Sequence, residues 1–265
     1  MKGCSGHGLI SQTLQQSLGL EDLLVYQSSH ILQEINENQK HSIVIKGGAS
    51  MEIRFGPNVR VTRDIDAATN LNLFNALAMI EESLIVGWNG FTGTMTAPED
   101  INIPGDNKPQ RCKIKISYKS KPFMTLPFEI GFIDKKVDSY NEVVTNTISL
   151  EPVQLEAGNK VSLLGIPAQI AQKIHACTQM PEFSTNNRCH DLYDITLMEP
   201  LARKDLRKLK EACEHVFKIR DTHHWPPDIK EWDHWQDLWD KIDAPIKINY
   251  QEARQIVNKL IEDTT

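Results

Sequence analysis

The chain has 265 residues, of which 40% are hydrophobic and 24% are charged, and these fractions are typical of globular proteins. No segment approaches the roughly 20 apolar residues of a transmembrane helix, and no signal peptide is recognisable, so we expect a cytoplasmic protein that binds no membrane. A net charge of −6 excludes a generic polycation for nucleic acid. The five cysteines are scattered and form no C-x-x-C pair, which argues against a zinc cage.

The first half of the chain mixes predicted helices and strands. Residues 9–39 carry apolar side chains at helical spacing on both sides of a break at residues 19–22, which predicts two helices. Residues 71–87 predict an amphipathic helix that ends at a glycine. Residues 91–131 alternate between apolar and polar side chains around a turn at residues 119–122, and this pattern predicts two adjacent strands.

A glycine pair follows the first predicted strand. The β-branched run of residues 41–45 is typical of a buried strand, so Gly47 and Gly48 lie where this strand turns into a helix that we expect to begin near Ala49. A turn of this kind can hold a phosphate group. The pair alone is weak evidence of function, because glycine pairs mark many turns.

Three carboxylates in predicted strands indicate a metal site. Residues 59–67 predict a strand in which Asp64 and Asp66 point to the same face, where they repel each other unless a cation lies between them. Glu129 is embedded in an apolar strand, where an unpaired carboxylate would be costly. By itself Glu129 is best interpreted as an exposed strand residue. Beside Asp64 and Asp66, it becomes the third ligand of two Mg²⁺ ions that bridge a nucleoside triphosphate and an incoming hydroxyl.

The second half of the chain is predicted to be helical, and residues 138–160 form a polar segment that leads into it. Pro167 opens a helix in which Lys173 lies beside an apolar stripe. In the next predicted helix, Arg188, Asp191 and Asp194 are three residues apart and are therefore neighbours on one face. Tryptophans at helical spacing in residues 232–239 predict an aromatic face packed in a core, with base stacking as the alternative.

The most basic part of the chain is residues 202–220, which hold seven basic and three acidic residues. Such a stretch is most often the solvated face of a helix. The alternative is a surface that contacts RNA or an acidic partner.

Five segments, taken in order, resemble the nucleotidyltransferase fold of DNA polymerase β and its relatives, and more closely the AbiEii/AbiGii toxin family. They are KGGAS (residues 46–50), VTRDID (61–66), FEIGF (128–132), IAQKIHA (170–176) and RCHDLYDI (188–195). The resemblance implies an α/β (α+β) fold, with a mixed sheet flanked by helices and a C-terminal helical region. It places a nucleotidyltransferase domain in residues 1–155 and a helical domain in residues 156–265.

The resemblance also implies roles for individual residues. The catalytic set would be Asp64, Asp66, Glu129, Lys173 and Asp191, and the first three would bind Mg²⁺. The triphosphate would contact Gly47, Gly48, Ser50 and Lys173. Lys46 and Arg63 flank the motif, where they would contact the nucleotide or pair with neighbouring acids, whereas Tyr193 and Asp194 would be structural. Two departures from the family pattern are His190, where lysine is frequent, and Glu129, where many relatives carry aspartate.

A member of this family would transfer a nucleoside monophosphate from an NTP to RNA, such as the 3′ end of tRNA, and release pyrophosphate. As a toxin of an abortive-infection system it would have a cognate antitoxin, and residues 203–220 would be its candidate tRNA contact. Two alternatives stay open. The acceptor of a nucleotidyl or phosphoryl group could be a protein hydroxyl, for example on the antitoxin, or the chain could be a non-catalytic nucleotide-binding or RNA-binding module.

Overall fold

The computed structural model describes residues 43–60, 62–102, 108–145, 160–181 and 184–265. The described residues form two compact units. The predicted helices of residues 9–39 and the predicted domain boundary at residues 155/156 lie outside the described residues, so both stay predictions. No helix in the described ranges is long and apolar enough to cross a membrane.

The first unit comprises the described residues of Met1–Pro57, Val61–Asp134 and Asn141–Leu163. The strands described in it are β1 (Ile43–Lys46), β2 (Ile65–Thr69), β3 (Phe91–Met95), β4 (Glu99–Asp100), β5 (Gln110–Tyr118), β6 (Lys121–Phe132), β7 (Glu142–Thr145) and β8 (Lys160–Leu163). They form one sheet in the order β3-β5-β6-β2-β1-β8-β7, and β4 pairs with β5. Because β2 pairs with β6, and β1 with β8, in parallel while the other pairs are antiparallel, the sheet is mixed, as predicted.

Two helices pack on one face of this sheet. They are α1 (Gly47–Phe55), which follows β1 directly, and α2 (Leu73–Val86), whose N-terminus is capped by the Asn72 side chain. Alternate strand residues such as Ile65, Ala67 and Ile130 are buried in the core beneath them. The residues between these, including Asp66 and Glu129, therefore belong to the opposite face of the sheet.

The structure corrects three details of the sequence prediction. Helix α1 begins at Gly47 rather than near Ala49. The strand predicted over residues 59–67 begins only at Ile65, and Asp64 lies in the bend before it, because the backbone N–H of Thr62 donates to a side-chain carboxylate instead of a neighbouring strand. Strands β7 and β8 were not predicted, since four-residue strands carry too little alternation to be recognised.

The second unit comprises Asn58–Arg60, Lys135–Tyr140 and the described residues of Leu164–Thr265. The helices described in it are α3 (Lys135–Asp138), α4 (Ile166–Thr178), α5 (Cys189–Ala202), α6 (Leu206–Arg220), α7 (Trp235–Trp239) and α8 (Tyr250–Asp263). Helix α4 packs against α5 and α6, and α5 packs against α7 and α8. The predicted proline at the start of α4 and its buried apolar stripe are confirmed.

Two tryptophans of the second unit, Trp235 and Trp239, are core residues, as expected, whereas Trp232 is half-buried. Trp235 is fully buried, and Trp239 is buried with its indole N–H donating to the backbone oxygen of Ile248. Trp235 and Trp239 both contact the ring of Tyr250 at the start of α8. These side chains therefore stabilise the helical unit and are not arranged to stack on bases.

Candidate active site

Four charged side chains form a row across the face of the first unit's sheet opposite α1 and α2. Lys46, Asp66, Glu129 and Arg111 occupy directly opposite positions on β1, β2, β6 and β5. Residues opposite each other on adjacent strands point to the same face, so the two acids stand side by side between two bases. Lys46 Nζ lies 3.9 Å from Asp66 Oδ1, and Arg111 Nη2 lies 2.5 Å from Glu129 Oε1.

Gly47 allows the start of α1 to approach Asp66 closely. Gly47 has φ +64°, and a Cβ at this position would lie 2.2 Å from Asp66 Oδ2. Only glycine fits both the backbone angle and the space. The N-terminus of α1 has no side-chain cap and no acid in its first turn, as is typical of helix N-termini that bind phosphate. Ser50 is buried, and its hydroxyl donates to the backbone oxygen of Gly47.

Asp64 is positioned by a chain of hydrogen bonds that also begins on α1. The buried Glu52 accepts the backbone N–H of Thr62 at 2.9 Å, and the Thr62 hydroxyl donates to Asp64 Oδ1 at 3.1 Å. A Cβ on Gly48 would lie 2.4 Å from the Thr62 hydroxyl oxygen, so the helix and the Thr62 segment touch. Helix α1 thus contacts Asp66 directly and holds Asp64 through Thr62.

The chemistry of these donors fits a divalent cation. Asp66 and Glu129 are neighbours on parallel strands, Asp64 precedes Asp66 by two residues, and carboxylate oxygens are the ligands that Mg²⁺ prefers. Among the described residues, no three His, Cys, Asp or Glu side chains are gathered into a metal cluster, so the fit lies in the chemical type of these donors and not in their spacing. Arg111 Nε and Nη2 both bind Glu129 Oε1, which leaves Oε2 outside the pair and able to face a cation.

The second unit contains a buried ionic network around Lys173. Lys173 Nζ lies 2.5 Å from Asp191 Oδ1 and 2.8 Å from Asp194 Oδ2. Arg60 binds both oxygens of Asp194 in a bidentate pair, with distances of 3.0 and 2.9 Å. Asp194 is fully buried, so its predicted structural role fits its position, and the network balances two cations with two anions.

Burial and charge compete in setting the ionisation of this network. Burial alone would lower the pKa of Lys173, but the adjacent Asp191 and Asp194 outweigh it and raise the pKa, so the ammonium stays charged. Burial would raise the pKa of Asp191, but Lys173 lowers it to about 2. The pKa of His190 is lowered by burial, against the opposing effect of Asp191. His190 is therefore neutral at neutral pH and does not supply the charge of the lysine that is frequent at this position.

The sequence profile of the AbiEii family, described as nucleotidyl transferase AbiEii toxin of a type IV toxin–antitoxin system, matches residues 30–259. This chain belongs to the AbiEii family. The AbiEii match includes all five segments on which the predicted site depends, from KGGAS to RCHDLYDI. This protein is therefore a nucleotidyltransferase of the toxin class. A search of curated protein sequences gave no significant match.

One solved nucleotidyltransferase structure shares the fold of this chain. The nucleotidyltransferase toxin MenT4 of Mycobacterium tuberculosis superposes with a TM-score of 0.59 at 13% identity, over 96% of this chain and 89% of that chain. An antigenic nucleotidyltransferase-like protein from Paracoccidioides brasiliensis gives a TM-score of 0.45 at 16% identity, over 76% and 91% of the two chains. ANT(2″)-Ia in complex with adenylyl-2″-tobramycin gives 0.39 at 14% identity, over 74% and 98%. At these identities the MenT4 likeness supports the fold alone.

The structure brings the predicted residues of this AbiEii protein into two groups. Lys46, Gly47, Asp66 and Glu129 lie together in the first unit, where Asp64 and Gly48 are linked to them through Thr62. Lys173 and Asp191 form an ion pair in the second unit. Arg63 is exposed and forms no ion pair with any residue that the structure describes. The individual roles of these residues stay predictions.

Sequence reasoning did not single out four residues that the structure places in these groups: Glu52, Arg60, Thr62 and Arg111. Arg60 and Thr62 lie within or beside the VTRDID segment, but Arg60 binds Asp194, and the backbone N–H of Thr62 binds Glu52 on α1, and neither partner belongs to that segment. For Arg111, one feature of the sequence indicates its position. The alternation of residues 110–118 puts it on the polar face of its strand.

Three of the seven lysines and arginines in the basic stretch of the second unit are paired with acids. Arg203 pairs with Glu199 and Asp263. Two further pairs lie on α6 or at its start, Arg207 with Glu211 and Lys208 with Asp205. The apolar face of α6 is buried, including Leu209, Val216 and Phe217. This pattern matches the solvated amphipathic helix that the composition favoured.

Proposed function

We propose that this AbiEii toxin transfers a nucleoside monophosphate from an NTP to an RNA acceptor, such as the 3′ end of tRNA, in a Mg²⁺-dependent reaction. The modified RNA would no longer support translation. The toxin would act in the cytoplasm, in a phage-defence system with a cognate antitoxin. The single observation that carries the reaction class is the pairing of Asp66 with Glu129 on adjacent parallel strands, with Gly47 holding the start of α1 against Asp66.

Each residue group has a part in this reaction. The acceptor oxygen forms a bond to the α-phosphorus, the bond from that phosphorus to the bridging oxygen breaks, and pyrophosphate leaves. Asp64, Asp66 and Glu129 would hold two Mg²⁺ ions, which neutralise the triphosphate and favour attack by the hydroxyl. The hydroxyl proton would pass to solvent, because Glu129 Oε1 binds Arg111 and Oε2 would face the cation.

The remaining proposed contacts bind and orient the triphosphate. The first turn of α1, with Gly47, Gly48 and Ser50, would direct the positive end of the helix dipole to phosphate. Lys46 and Arg63 would contact the nucleotide. The predicted roles of Lys173 at the triphosphate and of Asp191 in completing the site stay predictions, because the two side chains are buried and paired with each other in the second unit. Catalysis would thus depend mainly on positioning and electrostatics.

The test is incubation of the full-length protein with total tRNA, Mg²⁺ and each α-labelled NTP in turn. We expect one NTP to label tRNA, and chelation of Mg²⁺ to stop the labelling. Asp64→Ala and Asp66→Ala should each reduce it by about 100-fold or more, because each removes a metal ligand. Asp100→Ala is the matched control, since Asp100 is an exposed aspartate of the same sheet that binds Gln110.

Three results would contradict the proposal. Unchanged transfer in Asp64→Ala or Asp66→Ala would refute the assigned carboxylates. Label that appears on a protein while tRNA stays unmodified, as seen by mass spectrometry, would refute the RNA acceptor. Nucleotide or RNA binding that persists without Mg²⁺ and without turnover would indicate a non-catalytic module.

A further inference from the structure

Strand β5 has one buried face and one basic face. Three of its alternate side chains are buried in the hydrophobic core: Cys112, Ile114 and Ile116. The side chains between them point to the opposite face, and Arg111, Lys113 and Lys115 are all exposed there. We call these three residues the β5 basic stripe.

The β5 basic stripe begins at the carboxylates of the candidate active site. Arg111 binds Glu129, and Glu129 lies opposite Asp66. At about 3.4 Å per residue, Lys115 lies about 14 Å from Arg111 along the strand. The stripe therefore leads away from the carboxylates proposed to bind metal, on the same face of the sheet.

The lysines of the stripe have neutral neighbours. Lys113 lies opposite Pro127 on β6, and Lys115 lies opposite Thr125 on β6 and Thr94 on β3. Neither lysine forms an ion pair with any residue in the described ranges. Their charge is therefore available to a ligand, in contrast to the basic residues at the start of α6, which are paired with acids.

We propose that the β5 basic stripe binds the phosphate backbone of the RNA acceptor and guides its reactive end to the carboxylates. This inference rests on the proposed function, because it assumes an RNA acceptor. Lysine ammonium groups on a strand bind phosphates as point charges, and the hydroxyls of Thr94 and Thr125 can donate to phosphate oxygens beside them. Contacts of this kind position the RNA without reading its sequence.

The expected effect follows from counterion release. Each phosphate contact to single-stranded RNA changes the slope of log Kobs against log[salt] by about 0.7, so loss of two contacts changes it by about 1.4. At about 0.15 M salt, this loss weakens RNA binding by roughly 10-fold. Because Lys113 and Lys115 do not contact the carboxylates, nucleotide binding should be unaffected.

The experiment compares three double variants of the full-length protein in tRNA binding from 50 to 300 mM NaCl and in labelled-nucleotide transfer. Lys113→Gln/Lys115→Gln should bind tRNA about 10-fold more weakly, with a shallower salt slope, a higher KM for tRNA and an unchanged KM for NTP. Lys113→Arg/Lys115→Arg, which keeps the charges, should bind as the wild type does. Arg207→Gln/Lys208→Gln is the control from α6 and should also bind as the wild type does.

Each outcome is decisive. The assignment of the stripe would be overturned if Lys113→Gln/Lys115→Gln bound tRNA with wild-type affinity. It would also be overturned if Arg207→Gln/Lys208→Gln lost more tRNA affinity than that variant. Either result would leave the proposed reaction intact. A wild-type protein that transfers nucleotide to no RNA would instead refute the proposed function, and the inference with it. The exposed positions of both lysines make misfolding of the glutamine variant an unimportant cause of weaker binding, and thermal unfolding of the variants checks this directly.

Discussion

Replacement of Gly47 by alanine tests whether the close approach of α1 to Asp66 is needed for catalysis. The new Cβ would lie 2.2 Å from Asp66 Oδ2, whereas ordinary contact begins at 3.4 Å, so the carboxylate oxygen must move by about 1.2 Å. Gly47 also has φ +64°, where an L-residue costs about 1–2 kcal/mol. The substitution therefore combines backbone strain with displacement of a proposed metal ligand.

The displacement should affect catalysis far more than stability. A misplacement of about 1 Å at a reacting centre lowers the rate on the order of 100-fold. We therefore expect Gly47→Ala to reduce nucleotide transfer by about 100-fold, while urea denaturation shows a loss of only about 1–3 kcal/mol in the free energy of unfolding. Transfer is measured with α-labelled NTP and total tRNA at saturating Mg²⁺.

Gly56→Ala is the matched control. Gly56 ends the same helix with φ +63°, but a Cβ there would have no atom within 4 Å. This variant should lose stability through backbone strain and keep its transfer rate, because nothing at the carboxylates moves. If Gly47→Ala is as active as Gly56→Ala, the contact between Gly47 and Asp66 has no catalytic importance and the reasoning is refuted.

Three further predictions concern the supports of the two residue groups. Thr62→Val removes the hydroxyl that holds Asp64 and should weaken Mn²⁺ binding, followed by electron paramagnetic resonance, by about 10-fold or more, whereas Thr62→Ser should restore it. Asp194→Ala leaves Lys173 with one carboxylate fewer and should lower the free energy of unfolding, measured by urea denaturation, by about 3–5 kcal/mol. A decrease of less than about 1 kcal/mol would show that the ionic network does not stabilise the fold. The pKa of Asp191 is lowered to about 2 in the folded protein, so its ionised carboxylate adds about 2 kcal/mol to the free energy of unfolding above pH 4. This stabilisation is lost as the pH falls from 4 toward 2. Asp191→Asn should flatten the stability profile in that range, and an unchanged profile would show that Asp191 is not the group responsible.

Much of the fold was predictable from local pattern. The strands that became β5 and β6, the helix α2 and the proline-started helix α4 all carry the periodicity of their structure over nine or more residues. Short strands such as β7 and β8 do not, and the segment before Ile65 was predicted as strand because its alternation continues past the point where pairing stops. A segment becomes a strand only where it pairs with another strand, and the local sequence pattern gives no information about that partner.

The candidate site was predictable in its residue types but not in its supports. The sequence by itself determined that carboxylates would occur at residues 64, 66 and 129, that a glycine pair would precede a helix, and that the family would be AbiEii. Only the tertiary structure decided that Asp66 and Glu129 are direct neighbours and that Arg111 binds Glu129. The physical reason is that these contacts join residues that are brought together only by folding. Strand register does so for Asp66 and Glu129, and a hydrogen bond does so for the Thr62 backbone N–H and Glu52.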